Sequence, residues 1–97
     1  MPGAGLTRAV QDTIPGLVAS LGAWGVTGGH QLPSADGVPV LWLTTATDAQ
    51  RDRVAGQQWL PAQVHHLLLR NGVEPEYVAQ VRVMFDSQES LTRLLDQ

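Results

Sequence analysis

The alternation of side chains in segment 38–45, V-P-V-L-W-L-T-T, is typical of a buried β-strand. Val38, Val40 and Trp42 point to one face of the predicted strand. Leu41 and Leu43 point to the other, so both faces are apolar. Strands of this kind lie inside a covered sheet rather than at a solvated edge. We therefore predict that this segment is the central strand of the fold.

A helix-start signal follows this strand directly. Thr47 stands three residues before Gln50, which is the spacing of a capping box. In that motif the threonine hydroxyl accepts from an early helix N–H group and the glutamine side chain reaches back. The strand is therefore expected to end near Thr45 and a helix to begin near Asp48.

The region before the strand predicts a helix and a hairpin. Apolar residues at helical spacing indicate an amphipathic helix from about Thr7 to Leu21. Pro15 interrupts it, and because an interior proline removes one backbone hydrogen bond, we expect a kink or two short helices. The glycine-rich stretch from Trp24 to Leu32 predicts an edge strand. The turn residues from Pro33 to Gly37 then join it to segment 38–45 as an antiparallel hairpin.

The middle of the chain predicts a broken helix. Apolar residues at helical spacing continue from Asp48 to Arg70, and Asn71-Gly72 then supplies a left-handed stop. Pro61 lies inside this pattern. The helix is therefore expected to be kinked or divided near Trp59, or to consist of two helices with a turn at Gly56.

The next segment predicts a third strand. Glu74-Pro75-Glu76 is expected to be a loop. The residues from Tyr77 to Phe85 then alternate between two faces, which is typical of a half-exposed strand. One face carries Val81, Val83 and Phe85, and the other carries Gln80, Arg82 and Met84.

A last helix completes the predicted fold. Asp86 or Ser87 can cap this helix, with Glu89 placed for a capping box to Asp86. The element order is then helix, strand, strand, kinked or split helix, strand, helix. If the two strands joined through the long helix lie parallel in one sheet, the helix is a right-handed crossover. We predict an α+β, two-layer fold with a mixed three-stranded sheet and helices packed on one face, in a single globular domain spanning 1–97.

Composition removes several classes of function. The 97 residues contain no cysteine and no lysine, which excludes disulfides, thiolate ligands, thiolate nucleophiles and lysine Schiff bases. The net charge is −3 and the six arginines are scattered, so the electrostatic signature of nucleic-acid binding is weak. The chain contains no run of about 18 apolar residues and no secretory-signal pattern. A cytoplasmic protein without membrane contact is expected.

The candidate catalytic and metal-binding residues form no motif. His65 and His66 are neighbours, so on a helix they point about 100° apart and cannot both face one small site. Neither has another histidine or a carboxylate at helical spacing, and no serine lies in a G-x-S-x-G elbow. We therefore predict no catalytic residue, no metal and no cofactor. A small hydrolase that uses one of these histidines is kept as an alternative.

Gly22 and Gly25 fit the G-x-x-G spacing of the clamp in KH-type RNA-binding modules. The predicted element order also resembles the KH type II and BolA-like arrangements. In those folds the signature lies between helices after the hairpin, whereas here it precedes the first strand, so the resemblance is one of topology. It implies a nucleic-acid-binding alternative, which requires Arg51, Arg53 and Arg82, or a similar group, to converge on one groove.

Aromatic side chains support the leading hypothesis. The three tryptophans are core anchors by their pattern, yet Trp24 or Trp59, each beside a glycine or proline break, is suited to a protein interface. We predict a non-enzymatic domain that self-associates or docks on a protein partner through the face of its last strand. The predicted interaction residues are Trp24, Trp59, Tyr77, Arg82 and Met84.

Overall fold

The computed structural model describes residues 4–96, and the remaining positions of the predicted 1–97 domain lie outside the described residues. The predicted α+β class and element order are confirmed. The helices are α1 (Ala4–Leu21), α2 (Asp48–Ala55), α3 (Leu60–Arg70), α4 (Pro75–Val78) and α5 (Gln88–Leu95). The strands are β1 (Val26–Leu32), β2 (Val40–Thr45) and β3 (Val83–Ser87).

The three strands form one mixed sheet in the order β1-β2-β3. β1 and β2 pair antiparallel as the predicted hairpin, and β2 and β3 pair parallel. Segment 38–45 therefore supplies the central strand, as predicted, but the strand begins at Val40 and not at Val38. Trp42 lies at the middle of the sheet, opposite His30 of β1 on one side and Met84 of β3 on the other.

The helices cover one face of the sheet. On that face Leu41 and Leu43 are fully buried, and α1 packs across β1 and β2. The opposite face, which we call the open face, carries Val40 and Trp42, which are half-buried, and Met84, which is exposed. No helix of the described chain covers it. The central strand is thus apolar on both sides but covered by helices on one.

α1 continues through Pro15 without a break. The expected division into two helices does not occur, because the apolar side of α1 is held against the sheet. Val10, Ile14 and Leu17 are all buried, and burying each of these side chains contributes about 1.5–3 kcal/mol. An interior proline costs about 3 kcal/mol. Packing therefore outweighs the missing hydrogen bond.

The long middle helix is divided, as predicted. α2 begins with the capping box, in which the Thr47 hydroxyl accepts from the Gln50 N–H group and the Gln50 side chain accepts from the Thr47 N–H group. It ends at Gly56, and α3 carries Pro61 in its first turn, where a missing N–H group is tolerated. α3 ends at Arg70, and Asn71 and Gly72 follow it, with a φ of 93° at Gly72.

Two other predicted strand boundaries are also wrong. Trp24 belongs to a 3-10 helix (Gly22–Trp24), so β1 starts only at Val26. Tyr77 lies in α4, in the stretch expected to be loop and strand, and β3 begins at Val83. Pro75 is the cause of the second error, because its fixed φ favours the first position of a helix. The Tyr77 N–H group then bonds the Glu74 carbonyl at 2.9 Å.

The cap of α5 is Ser87, whose hydroxyl accepts from the Ser90 N–H group. The expected capping box between Asp86 and Glu89 does not form. Asp86 instead accepts from the Ser87 N–H group, and Oε1 of Glu89 accepts from the N–H group of Asp48. The glutamate therefore links α5 to the start of α2 rather than capping its own helix.

Candidate functional site

β3 has an unpaired edge. The Leu41 N–H group donates to the Arg82 carbonyl at 2.8 Å, and residues of a parallel strand alternate between the two sides of the ladder. The N–H and C=O groups of Met84 therefore face β2, while those of Val83 and Phe85 point away from the sheet. Within residues 4–96 no backbone group pairs with these outward groups. Such an edge is a template for another strand.

An apolar groove of about 310 Å³ runs beside this edge. Val83 and Phe85 form one wall with half-buried side chains, and the first turns of α3 form the other. His65 is the only lining residue with a titratable side chain. The groove is lined by Ala55, Leu60, Pro61, Val64, His65, Val81, Val83 and Phe85. We call this groove, together with the outward groups of Val83 and Phe85, the β3 edge site.

The division of the middle helix opens this groove. α3 packs against α1, and the side chain of Leu67 approaches Gly16. The helices that contact β3 are α2 and α5. Because α3 packs against α1, it leaves the inward side chains of Val83 and Phe85 only partly covered. The groove is the space that remains between α3 and β3.

The other sheet edge is protected. β1 carries a bulge between Val26 and Gly28 and has two adjacent glycines, Gly28 and Gly29. Bulges twist a strand away from incoming chains. β3 pairs with β2 in regular register and contains no proline, lysine or glycine. Of the two edges, β3 is the one suited to accept a strand.

The open face flanks the β3 edge site on its other side. His30 stacks near Trp42, with ring centroids 6.5 Å apart and planes inclined by 27°. Met84 lies beside Trp42 and is 46% exposed, and Arg82 is exposed. A chain added to β3 would contact Arg82 and Met84 as well as the groove. Two of the predicted interaction residues, Arg82 and Met84, therefore border the edge.

The two predicted interface tryptophans contact each other. The rings of Trp24 and Trp59 are 5.3 Å apart, and the Arg53 guanidinium lies 5.1 Å from the Trp24 ring. Trp59 is 39% exposed and directly precedes Leu60, which lines the groove. The pair therefore adjoins the end of the groove formed by the start of α3.

Tyr77 has a different environment. It is half-buried in α4 and packs against the hydrophobic core. The structure therefore brings Trp59, Arg82 and Met84 to the surroundings of the β3 edge site and places Tyr77 in a packing role.

α5 follows β3 and exposes an apolar side. Leu94 and Leu95 are 67% and 83% exposed, and Leu91 is also exposed. The start of the helix is held by Asp48, which accepts from the Ser87 hydroxyl and pairs with Arg93 at 2.7 Å. These two contacts, led by the Ser87 hydrogen bond, hold the pKa of the Asp48 carboxyl below its ordinary value of 3.8.

The arginines named for nucleic-acid binding do not converge on the groove. Arg51 pairs with Asp48 at 3.3 Å and with Asp52 at 3.0 Å. Arg53 lies over Trp24, and Arg82 is exposed beside the open face. None of the three lines the groove. The geometry therefore gives the nucleic-acid alternative no support.

The histidines also lie apart from reactive partners. His65 lines the groove and His66 is exposed. Neither hydrogen-bonds to a serine or an aspartate in the part of the chain that is described. Over the same residues, no group of three or more histidine and acidic side chains is placed to hold a metal ion. No helix of residues 4–96 is long and apolar enough to cross a membrane.

The G-x-x-G spacing has a structural role in this fold. The Gly25 N–H group donates to the Gly22 carbonyl at 3.0 Å and closes the 3-10 turn after α1. Gly25 has a φ of 95°, a conformation that glycine adopts without strain. These glycines end a helix.

Sequence reasoning missed the groove itself. Its walls come from α3 and β3, which are separated in sequence by α4. Two local signals were available, the break at Gly56 and Pro61 and the half-exposed pattern of β3. They indicate a divided helix and an accessible strand but not that a cavity lies between them. Comparison of the chain with protein-family models, curated proteins and solved structures finds no match.

Proposed function

We propose that this chain is a non-enzymatic protein-interaction domain and that the β3 edge site is its docking surface. The observation that carries the proposal is the coincidence of an unprotected strand edge with an apolar groove. Val83 and Phe85 belong to both features, since their backbone groups point outward and their side chains line the groove. An extended segment added to β3 would use both at once.

The energies involved favour this mode of binding. Strand addition along β3 would pair up to four outward backbone groups, and each hydrogen bond contributes about 0.5–1.5 kcal/mol net. An apolar side chain that enters the groove contributes about 1.5–3 kcal/mol. Backbone bonds supply affinity with little sequence preference, whereas the groove selects apolar side chains at alternate positions. The expected partner segment is therefore extended and apolar at every second residue.

A phage-displayed library of random dodecapeptides, selected against the full chain, tests the proposal. We expect enrichment of peptides with alternating apolar residues. In ¹⁵N-labelled protein, the selected peptide should shift the amide resonances of Val83, Phe85 and His65. A Val83→Pro variant should weaken binding at least tenfold, because proline removes an outward N–H group that β2 does not use.

Neighbouring histidines supply a matched pair of variants. His65→Glu places a charge in the groove, so it should weaken peptide binding at least tenfold. His66→Glu makes the same substitution one residue away on the exposed side of α3, so it should leave binding within about twofold. Equal binding by the two variants, or selection of no peptide above the bare-support background, would overturn the proposal.

A further inference from the structure

The β3 strand has a sequence that is complementary to itself. Residues 82–86 read Arg-Val-Met-Phe-Asp, with a positive charge at one end, a negative charge at the other and three apolar residues between. Arg82 and Asp86 share the open face with Met84. Val83 and Phe85 share the groove side. In a second copy of the strand that lies antiparallel to the first, the positive and negative ends occur in the opposite order.

We propose that the partner of the β3 edge site is a second copy of this chain, joined by antiparallel pairing of the two β3 strands about a twofold axis at Met84. This inference rests on the proposed function, because it names the segment that docks on the edge. In this register Val83 of each copy lies opposite Phe85 of the other. Arg82 lies opposite Asp86 of the other copy, and oppositely charged residues facing each other across strands are favourable.

The backbone geometry selects this register. In an antiparallel ladder, directly opposed residues alternate between pairs that exchange two hydrogen bonds and pairs that exchange none. The groups of Met84 face β2, so the Met84 pair is a non-bonded one. The outward groups of Val83 bond those of Phe85 in the other copy. All the outward groups of these two residues find partners, and the two sheets become one six-stranded sheet.

The same axis gives α5 a role. Antiparallel pairing places Ser87 of one copy opposite Val81 of the other, and Val81 lines the groove. α5 begins directly after Ser87, so its first turn starts beside Val81 of the second copy, and its leucines are exposed in the single chain. In the dimer α5 of each copy covers the groove of the other. This contact removes from water the apolar side that α5 exposes in the single chain.

The contact combines the β3 strand, the groove walls and the exposed leucines of α5 into one apolar surface on each copy. Because the interface is isologous, every contact except the Met84 pair on the axis occurs twice. The pairing also removes the one unprotected edge of the sheet.

Sedimentation velocity over a range of concentrations tests the association, and charge reversal tests the register. We expect a monomer–dimer equilibrium in the unmodified chain. Arg82→Asp alone should weaken the dimer at least tenfold, since it places two like charges opposite each other. Combining it with Asp86→Arg should restore the dimer to within about threefold, because the opposed charges are then again opposite in sign. Failure of the double variant to restore the dimer would overturn the register.

Cross-linking locates the axis. The chain has no native cysteine, so Met84→Cys introduces one thiol per copy. Cα atoms of a non-bonded antiparallel pair lie about 4.5 Å apart, which is within the range that a disulfide spans. Mild oxidation should convert most of this variant to a covalent dimer. Leu69→Cys, at an exposed leucine outside the site, should remain uncross-linked.

A final pair of variants examines α5. Leu94→Glu should weaken the dimer at least tenfold, whereas Leu69→Glu, the same change on α3, should leave it unaltered. A dimer that resists Leu94→Glu would overturn the role of α5. A strictly monomeric chain that still binds selected peptides at Val83 and Phe85 would overturn the second-copy inference and leave the proposed function standing. A strictly monomeric chain that also fails to bind selected peptides would overturn both the second-copy inference and the proposed function.

Discussion

The hydroxyl of Ser87 donates a hydrogen bond to Oδ1 of Asp48, a residue 39 positions away in sequence. This bond joins the start of α5 to the start of α2. β2 and β3 are parallel, so their C-terminal ends are adjacent and the helices that follow them begin side by side. Ser87 is fully buried and also caps α5. One hydroxyl therefore fixes both the start of α5 and its position beside α2.

Ser87→Ala should destabilise the chain measurably. The change removes the α5 cap, which is worth about 0.5–2 kcal/mol, and leaves Asp48 with one hydrogen bond fewer. We expect a loss of about 2 kcal/mol in the free energy of unfolding, determined by urea titration followed by tryptophan fluorescence. Ser90→Ala, whose side chain caps nothing, should change the value by less than about 0.5 kcal/mol. Equal effects of the two variants would contradict the capping role.

Asp48 should make stability depend on pH. Its folded-state pKa lies below 3.8, first because of the Ser87 hydrogen bond and second because of Arg93. As the pH falls through 3.8, the unfolded chain takes up the proton before the folded chain does. The stabilisation by Asp48 is therefore complete above its ordinary pKa and is lost as the pH falls toward the lower folded value. Asp36, whose pKa is lowered chiefly by a hydrogen bond from Ser34, acts with the same sign.

Urea titrations between about pH 5 and about pH 2 check this dependence. Asp48→Asn should flatten the acid limb of the stability profile, because the variant has no carboxyl to protonate at this position. Glu76 acts with the opposite sign, since a hydrogen bond with Glu74 raises its pKa above 4.5. An unchanged slope in Asp48→Asn would refute the assignment.

The two glycines of the G-x-x-G spacing should respond differently to substitution. Gly25 has a positive φ, and a Cβ there would collide with the side chain of Gln50. Gln50 is held by its hydrogen bond to the Thr47 N–H group, so it cannot move aside without loss of the capping box. Gly25→Ala should therefore cost about 2–3 kcal/mol in thermal or urea unfolding. Gly22→Ala has no atom within 4 Å of the new Cβ, so it should change the free energy of unfolding by less than about 0.5 kcal/mol.

A phosphate or nucleotide clamp would need both glycines for close approach of a ligand. Tolerance of Gly22→Ala together with a large penalty at Gly25 is the pattern expected of a helix stop. Equal and large penalties at both positions would contradict the structural role.

Adjacent glycines in β1 offer a similar comparison. A Cβ at Gly29 would lie 2.7 Å from Cδ2 of Leu43 and 3.3 Å from Cγ2 of Ile14, because α1 packs closely on the sheet there. Gly29→Ala should cost about 1–3 kcal/mol by overpacking. Gly28 has no atom within 4 Å of a new Cβ, so Gly28→Ala should be nearly neutral. Thermal unfolding of the two variants should differ by several degrees, and coincident curves would argue against the close approach.

The fold was predictable where the signal is local. The capping box of Thr47 and Gln50 lies within four residues. The break after α2 is indicated by Gly56, and the end of α3 is indicated by Gly72. The predicted start of β3 at Tyr77 is wrong because alternation over a few residues is also compatible with one helical turn. Pro75 favours that turn, which becomes α4. Glu89 was assigned to its own helix because nothing local indicates that the Asp48 N–H group is nearby.

The candidate site depended on tertiary structure. The exposed pattern of Arg82 and Met84 was visible in the alternation of β3, and both residues do border its free edge. The groove depends on the packing of α3 against α1. In that packing the side chain of Leu67 lies close to Gly16. No spacing within α3 or β3 encodes that packing. Contacts between distant elements therefore decide the site, while local patterns decide the elements that build it.

Pro15 and Pro61 provide the last prediction. Pro15 lies inside α1 and removes a hydrogen bond that any other residue would make, whereas Pro61 lies in the first turn of α3, where no such bond is lost. Pro15→Ala should restore the bond and stabilise the chain by about 2 kcal/mol, the interior proline penalty reduced by the greater entropy of the unfolded alanine chain. Pro61→Ala should give no gain. Thermal unfolding of both variants measures the difference, and a destabilised Pro15→Ala would mean that the proline shapes α1 to fit the sheet.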